Sequence, residues 1–407
     1  MSASEEAPRG PLGLLRDRTF GPFMAGKLLS TAGMWVQNLA AAVLMFSLTG
    51  SAFMVGLVSA VQFGPLLLFS VLTGALTDQF DRRRLLMLGR VISGTAISGL
   101  AVVVTLSGGG VEPSMLLVAV FATGIGQALS NPAMQALIPA LVREQDLEQA
   151  LAVNAAAPSL ARTAGPALGA GLLLVGGPAA AFAVAGASHL VFAFVLAFLR
   201  GRQQVKPKTR PSVWGGLRYL TGDPKAGLLV LGVAMLGFGA DSVVTLSPPL
   251  AAQLGRGEAV VGLFAAAFGV GAVAVTLTFR LVRHALTLRS VGIAGFMVLA
   301  AGLLIVGVAP AVGGGAAGFA VAGAGFMMAT VALNTRIQRR VPDELRGRVM
   351  ALWGVAFLGS RPFAAMLNGF LADAFTVRTA LVVAAVITVA STPFALVSYQ
   401  RGGSSAP

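Results

Sequence analysis

Long apolar runs recur along the chain, and short charged or Gly/Pro-rich breaks separate them. A helix needs roughly 20 apolar residues to cross the hydrocarbon core of a bilayer. Twelve runs meet that length, at residues 20–47, 53–76, 85–107, 114–138, 149–175, 178–199, 226–250, 259–281, 288–309, 312–336, 348–372 and 376–399. The pattern therefore predicts an all-α integral membrane protein with twelve transmembrane helices.

The breaks between these spans carry most of the basic residues. With the N-terminus inside, nearly all of them fall on one side of the membrane, including Arg82, Arg83, Arg84 and Arg90, whereas only Arg256 and Arg378 fall on the other side. Cytoplasmic loops of membrane proteins are enriched in Lys and Arg. We therefore expect a plasma (inner) membrane protein with both termini in the cytoplasm.

The longest inside loop, at residues 200–225, divides the spans into two sets of six. It predicts a cytoplasmic segment at 1–19, helical bundles at 20–199 and 226–399, and a cytoplasmic tail at 400–407. Within the loop, Trp214 and Tyr219 belong to an amphipathic stretch that predicts an interfacial helix. Arg162 and Arg361 lie at similar depths in corresponding spans, which favours a duplication.

Composition excludes a soluble fold. The chain of 407 residues is 56% hydrophobic and 11% charged, with a mean hydropathy of +0.84, whereas soluble domains are about 25% charged. The net charge of +14 is explained by the loop pattern, so no nucleic-acid partner is expected. With no cysteine and two histidines, we expect no metal site and no cofactor.

Polar residues concentrate in every third span. The fourth span carries Thr123, Gln127, Asn131 and Gln135 at i, i+4 spacing, which places them on one helix face. We expect the polar residues of the first, fourth, seventh and tenth spans, with one arginine each from the fifth and eleventh, to line a central substrate cavity, at Gln37, Asn38, Gln127, Asn131, Arg162, Thr245, Asn334 and Arg361. The alternative is that the amides hold helices together, at about 0.6 kcal/mol each.

Asp241 is the only acid deep within a predicted span. A carboxylate in that environment is either paired or protonated. One hypothesis makes Asp241 the proton-coupling residue, and the other makes it a permanent partner of Lys27 or of an arginine. Asp241 favours a cationic substrate, while Arg162 and Arg361 favour an anionic one, so the residues leave the substrate charge open.

The loop between the second and third spans reads Gly74-Ala-Leu-Thr-Asp78-Gln-Phe-Asp-Arg82-Arg83-Arg84 and resembles the signature loop of the major facilitator superfamily. Gln79 and Asp81 depart from that pattern. The element Gly165-Pro166-Ala-Leu-Gly169-Ala is similar to one typical of antiporter branches. With Pro342-Asp-Glu-Leu-Arg346-Gly-Arg348, the chain resembles the exporter subgroup that includes the enterobactin exporter and lysophospholipid transporters.

The resemblance implies two pseudo-symmetric six-helix bundles and export of a small amphiphilic molecule, drug-like or siderophore-like, by alternating access with proton antiport. It implies a monomer whose partners are this substrate, protons and membrane lipids, and a conformational gate at Gly74, Asp78, Arg82, Arg83, Gly165 and Pro166. A lipid or lysophospholipid flippase of the same fold is the alternative. A membrane-embedded enzyme is disfavoured, since the chain has neither a His-Glu-x-x-His nor a Gly-x-Ser-x-Gly motif.

Overall fold

The structure, a computed structural model, describes residues 9–199, 213–282 and 287–396. All regular secondary structure in these ranges is helical. The helices are α1 Pro11–Leu15, α2 Phe20–Thr49, α3 Ala52–Gln79, α4 Arg82–Leu106, α5 Pro113–Leu141, α6 Leu147–Phe198, α7 Val213–Gly222, α8 Pro224–Thr245, α9 Ser247–Gln253, α10 Glu258–Val282, α11 Leu288–Val308, α12 Val312–Arg340, α13 Asp343–Gly359, α14 Arg361–Ala374, α15 Val377–Ala390 and α16 Thr392–Leu396, with a 3-10 turn at Glu144–Asp146.

Eleven helical stretches within the described ranges are long and apolar enough to cross a membrane. The difference from the twelve predicted spans lies in α6, whose 52 residues contain the fifth and sixth predicted spans. Gly177 separates these spans with φ 63° and ψ −165°, a backbone conformation that residues other than glycine rarely adopt. Counting the two segments of α6 separately accounts for all twelve, so the prediction of an all-helical membrane fold is confirmed.

Two predicted spans are interrupted. The span predicted at 226–250 ends at Thr245, and α9 begins two residues later with Pro248 and Pro249 near its start. The span predicted at 348–372 is broken between Gly359 and Arg361, where Pro362 supplies no backbone N–H. Proline has no backbone N–H and is favoured in the first turn of a helix, so these prolines fit the starts of α9 and α14.

The chain forms two compact units. Unit 1 consists of Met1–Ala40 and Leu68–Arg210, and unit 2 of Ala41–Leu67 and Pro211–Pro407. Helices α2 and α3 each contribute one part to each unit. The bundle limits at 20–199 and 226–399 stay predictions, as does the duplication.

In unit 1, glycines bring α4 close to its neighbours. A Cβ on Gly89 would lie 2.4 Å from the Gly126 carbonyl oxygen on α5, and a Cβ on Gly94 would lie 2.6 Å from Leu190 on α6. One end of the unit is filled by an apolar cluster that includes Phe20, Phe23, Leu86, Ile138 and Phe192. The cluster holds the start of α2, the start of α4 and the end of α6 together.

In unit 2, α11 and α12 pack through Gly295, Gly302, Gly318 and Gly325, whose added Cβ atoms would each meet backbone within 3 Å. A short helix, α7, is present where the linker was predicted to contain one, and its position at the membrane interface stays a prediction. It packs on α13 at Gly216, where a Cβ would lie 3.1 Å from Leu352. Linker residues 200–212 lie outside the described residues.

Candidate functional site

Unit 2 contains a buried ion pair between Asp241 on α8 and Arg361 on α14. Arg361 Nη2 lies 3.3 Å from Asp241 Oδ1, and the side chains are 4% and 0% exposed. Thr245, one turn further along α8, donates to Asp241 Oδ2 at 2.7 Å. The helix break after Gly359 makes Arg361 the first residue of α14. Arg361, and not Lys27, is therefore the partner of Asp241.

Further side chains extend this buried polar contact. The Arg361 guanidinium lies 5.2 Å from the centre of the Phe63 ring. Asn368, seven residues after Arg361, donates to Ser242 Oγ at 3.3 Å and is 1% exposed. Sequence reasoning missed Asn368, although its spacing of two helical turns from Arg361 places both on one face of α14.

In unit 1, the polar stripe of α5 runs from the interior to an exposed position. Thr123 is fully buried and accepts from Gln37 Nε2 at 3.1 Å. Gln127 is 4% exposed, Asn131 is half-buried and Gln135 is exposed. The stripe therefore connects α2 to a surface, and its role in a cavity stays a prediction.

Among the described side chains of unit 1, three basic ones are buried. Lys27 Nζ donates to Asn154 Oδ1, and Arg90 Nη1 donates to Ser30 Oγ at 2.9 Å. His189 Nδ1 lies 2.7 Å from the same Ser30 hydroxyl. The expectation that Arg90 belongs to the cytoplasmic loop was wrong, because Arg90 lies in the third turn of α4 and is 5% exposed.

The predicted gate residues around the α3–α4 connection bind helix ends. Arg82 donates to the Ala136 carbonyl at 3.0 Å, and Arg83 donates to the Leu196 and Ala197 carbonyls at the end of α6. Cations stabilise carbonyl groups at a helix C-terminus. Asp81, a departure from the family pattern, caps α4 by accepting from the Arg84 N–H at 2.8 Å. Neither the surroundings of Gly74 nor the side chain of Asp78 is among the described parts of the structure.

The Gly165-Pro166 element lies against α2. A Cβ on Gly165 would come within 2.5 Å of Trp35 Cβ, and one on Gly169 within 3.2 Å of Val36 Cα. Close helix packing is therefore one role of these glycines. The side chains of Arg162 and Pro166 are not described. Among the other predicted cavity residues, Asn38 is 5% exposed and Asn334 accepts from Gln338 at 2.9 Å.

Asp373, which sequence reasoning did not select, caps the start of α3. Its carboxylate accepts from Ser51 Oγ at 2.6 Å, from the Ala52 N–H at 2.8 Å and from the Phe53 N–H at 3.0 Å. An anion at a helix N-terminus is favoured by the helix dipole and by the unpaired N–H groups. An acid near the end of α14 was the available signal, but its partner is more than 300 positions away in the chain.

A second aspartate stabilises the start of α8. Asp223 accepts from the Lys225 and Ala226 N–H groups at 3.1 and 3.3 Å, and from Arg340 Nε at 2.6 Å. Partial burial opposes its ionisation, but the hydrogen bonds from Arg340 and Ala226 outweigh that effect, so the pKa of Asp223 is lowered. The end of α12 is thereby joined to the start of α8.

Comparison with known proteins assigns the family. The enterobactin exporter EntS of Salmonella choleraesuis is 28% identical over 363 residues, covering 86% of this chain and 85% of that protein. EntS of Escherichia coli O1:K1 is 25% identical over 359 residues, covering 86% and 84%. A bacterial homologue of the human lysosomal transporter Spinster, solved in an inward-facing and occupied conformation, superposes with a TM-score of 0.71 at 14% identity, over 92% of this chain and 96% of that chain.

The whole-chain comparison agrees with the helical architecture and with the signature loop. Residues 9–401 match the family model described as transmembrane secretion effector. The match extends over both units and over every helix described above. The chain is a multi-pass membrane protein that belongs to the transmembrane secretion effector family of the major facilitator superfamily.

Proposed function

We propose that this protein is a secondary active transporter that exports a small amphiphilic molecule, drug-like or siderophore-like, by alternating access in exchange for protons. Membership of the family and the 28% sequence identity to an enterobactin exporter support transport and its outward direction. We place it in the plasma (inner) membrane with both termini in the cytoplasm, on the loop charges. It needs no cofactor in this proposal.

The Asp241–Arg361 pair carries the proton part of the proposal. Asp241 is the only acid in the interior of a predicted span, and it is fully buried. Protonation would remove its charge and with it the attraction to Arg361. A carboxylate that must be paired or protonated in such surroundings can therefore exchange an ion pair for a proton.

The geometry of the pair fits reversible separation. The distance of 3.3 Å between Arg361 Nη2 and Asp241 Oδ1 is longer than the 2.7–2.9 Å of strong charge-assisted hydrogen bonds. Thr245 donates to the other carboxylate oxygen, so that oxygen stays satisfied when Arg361 moves. In this mechanism Arg361, released by protonation of Asp241, interacts with an anionic group of the cargo.

The experiment uses purified protein in liposomes with enterobactin and ethidium as probes of the two substrate charges. Wild type is expected to accumulate one of them in the acidic compartment, because protons leaving that compartment drive the probe into it, and to stop when a proton ionophore removes the gradient. Asp241→Asn is expected to exchange the probe between equal pools while losing uphill accumulation. The matched control Asp223→Asn keeps uphill accumulation.

Two outcomes would contradict the proposal. Accumulation that ignores the ionophore would exclude proton coupling, and wild-type accumulation by Asp241→Asn would exclude Asp241. If lysophospholipid moves between leaflets and neither probe moves, the flippase alternative is the better function.

A further inference from the structure

The N-terminal half of the chain buries positive charge deep within its helices, whereas its acidic residues lie near the helix ends. Between Phe20 and Gly222, the acidic residues are Asp78, Asp81, Glu112, Glu144, Asp146 and Glu148. Each lies at a helix end or in the adjoining connection. Asp146 is buried but already accepts from Arg143 and from the Arg9 N–H, and none of the six acids lies in the middle of a long helix.

The buried positive charges lie at similar depths. Lys27 is seven residues from the start of α2, Arg90 eight from the start of α4, and His189 nine from the end of α6. At a rise of 1.5 Å per residue, these separations are about 10 to 14 Å. The three helix ends meet in one apolar cluster. We call Lys27, Ser30, Arg90 and His189 the cationic cluster; their exposures are 2%, 1%, 5% and 1%.

The hydrogen bonds of Ser30 determine the state of His189. Arg90 Nη1 donates to Ser30 Oγ at 2.9 Å and lies 3.4 Å from His189 Nδ1. Because an arginine N–H is only a donor, Nδ1 acts as the acceptor and takes the Ser30 hydroxyl hydrogen at 2.7 Å. An imidazole that accepts at Nδ1 carries its hydrogen at Nε2. His189 is therefore neutral with an Nε2–H donor.

Two buried donors of the cluster have no hydrogen-bond partner among the described residues, namely Arg90 Nε and His189 Nε2. Lys27 is oriented differently. It donates to Asn154 Oδ1, and Asn154 Nδ2 in turn donates to Gln135 Oε1 at 3.1 Å. Because Gln135 is exposed, this chain of amides links the cluster to a surface. What the cluster lacks is acceptors and negative charge.

We propose that the cationic cluster is a binding site for an oxyanion, a phosphate or carboxylate group. Arg stays protonated in proteins, and two buried like charges without a counter-ion are costly. The Phe192 ring, 5.8 Å from the Arg90 guanidinium carbon, supplies only part of the compensation. Water would satisfy the free donors but leave the charges of Lys27 and Arg90 uncompensated. An oxyanion would accept from the donors and also compensate the charges. None of these residues belongs to the Asp241–Arg361 pair, so the site is independent of the proposed coupling.

The first test is thermal unfolding of the purified protein while sodium phosphate is titrated at constant ionic strength in sodium methanesulfonate. A ligand that binds the native state raises its stability. We expect a saturable rise in Tm of about 2 °C at ten times Kd, reached at millimolar phosphate, below the concentrations at which excluded salts act. Arg90→Gln is expected to lose the rise.

Arg336→Gln is the matched control. Arg336 is also 5% exposed, but it donates to the Ala395 carbonyl at 2.6 Å in unit 2. Its variant is expected to keep the phosphate response. An equal response of wild type and Arg90→Gln would overturn the site.

A second variant supplies the missing charge. Ser30→Asp would place a carboxylate beside Arg90 and His189, so we expect a higher Tm without phosphate and no further rise with it. This result would hold even if Arg90→Gln failed to fold. A Ser30→Asp protein that is less stable than wild type and still gains Tm with phosphate would contradict the proposal.

A comparison of two lipids distinguishes a free ion from a lipid head group as the source of the oxyanion. Lysophosphatidate is compared with the monoacylglycerol of the same chain length. A response to phosphate indicates a free ion, and a response to lysophosphatidate without a response to phosphate indicates a head group. If neither raises the Tm of wild type, the cluster is not an oxyanion site.

Discussion

Asp241 and Arg361 depend on each other because both are buried, at 0% and 4% exposure. Removing one partner leaves an uncompensated charge in a medium of low polarity, whereas removing both leaves none. We therefore expect a strong energetic coupling between the two positions.

We expect Arg361→Gln to lower the free energy of unfolding by about 3 to 5 kcal/mol, and the double variant Asp241→Asn, Arg361→Gln to recover most of that loss. A double-mutant cycle of chemical or thermal unfolding measures the coupling. Additive losses in the cycle would mean that the two charges do not interact.

Asp223 gives a prediction about pH. Its pKa is lowered in the folded protein, chiefly because Arg340 and the Ala226 N–H bind the ionised form against the opposing effect of burial. A carboxylate with a lowered folded pKa stabilises the fold above its unfolded pKa of about 3.9, and that contribution is lost as pH falls through the folded value.

Asp223→Asn should therefore lower the Tm at pH 7, and the difference from wild type should shrink as pH falls from about 5 to 3. The loss at pH 7 should be about 1 kcal/mol, as for other N-cap residues. Most of the pH dependence should disappear in Arg340→Gln. A Tm difference that stays constant from pH 7 to pH 3 would be inconsistent with this role.

At the scale of helices, α3 and α14 approach closely because glycines face backbone. A Cβ on Gly56 would lie 2.3 Å from the Ala365 carbonyl oxygen, whereas a Cβ on Gly64 of the same helix would meet nothing within 4 Å. The two glycines have opposite surroundings and form a matched pair.

Gly56→Ala should destabilise the protein because the added methyl separates α3 from α14. Gly64→Ala should be neutral or stabilising by about 0.5 to 1 kcal/mol, since alanine is the better helix former. Thermal unfolding of the two variants checks the contact. Equal effects at both positions would show that α3 and α14 do not pack in this way.

The Asp373 cap is a second contact between α14 and the start of α3. Asp373→Ala removes the acceptor for the Ala52 and Phe53 N–H groups and should lower the free energy of unfolding by about 1 kcal/mol. Asp373→Asn, which keeps an acceptor oxygen, should lose less. If the Ala and Asn variants unfold together at the wild-type Tm, the cap contributes nothing.

How much the sequence predicts differs between local and long-range features. Apolar run length located the spans, because crossing a bilayer depends on length and polarity alone. The sequence also located the break at Gly177, between the spans predicted at 149–175 and 178–199, but not the positive φ that produces it. Arg90 was misplaced because three neighbouring arginines extend a loop pattern into α4. The partners Asp241–Arg361 and Asp373–Ser51 are joined by packing over more than 100 positions, which a single sequence does not encode locally.

At the scale of the whole molecule, the family assignment and the loop charges predict a topology. Single cysteines at Ser51, Gly109 and Gly257 should react with an impermeant maleimide from outside, and those at Ser2, Thr209 and Ser404 should not. The native chain has no cysteine, so each label reports one position. Labelling at Thr209 from outside would overturn the orientation with both termini in the cytoplasm.

The central claim is that substrate export and proton movement are tied through Asp241. The most direct measurement is the pH inside proteoliposomes, followed with a trapped pH-sensitive dye, when a gradient of transported substrate is imposed without any pH gradient. Wild type is expected to move protons against the substrate flow. Asp241→Asn is expected to bind substrate and move no protons. Substrate-driven proton movement of wild-type size in Asp241→Asn would contradict the account.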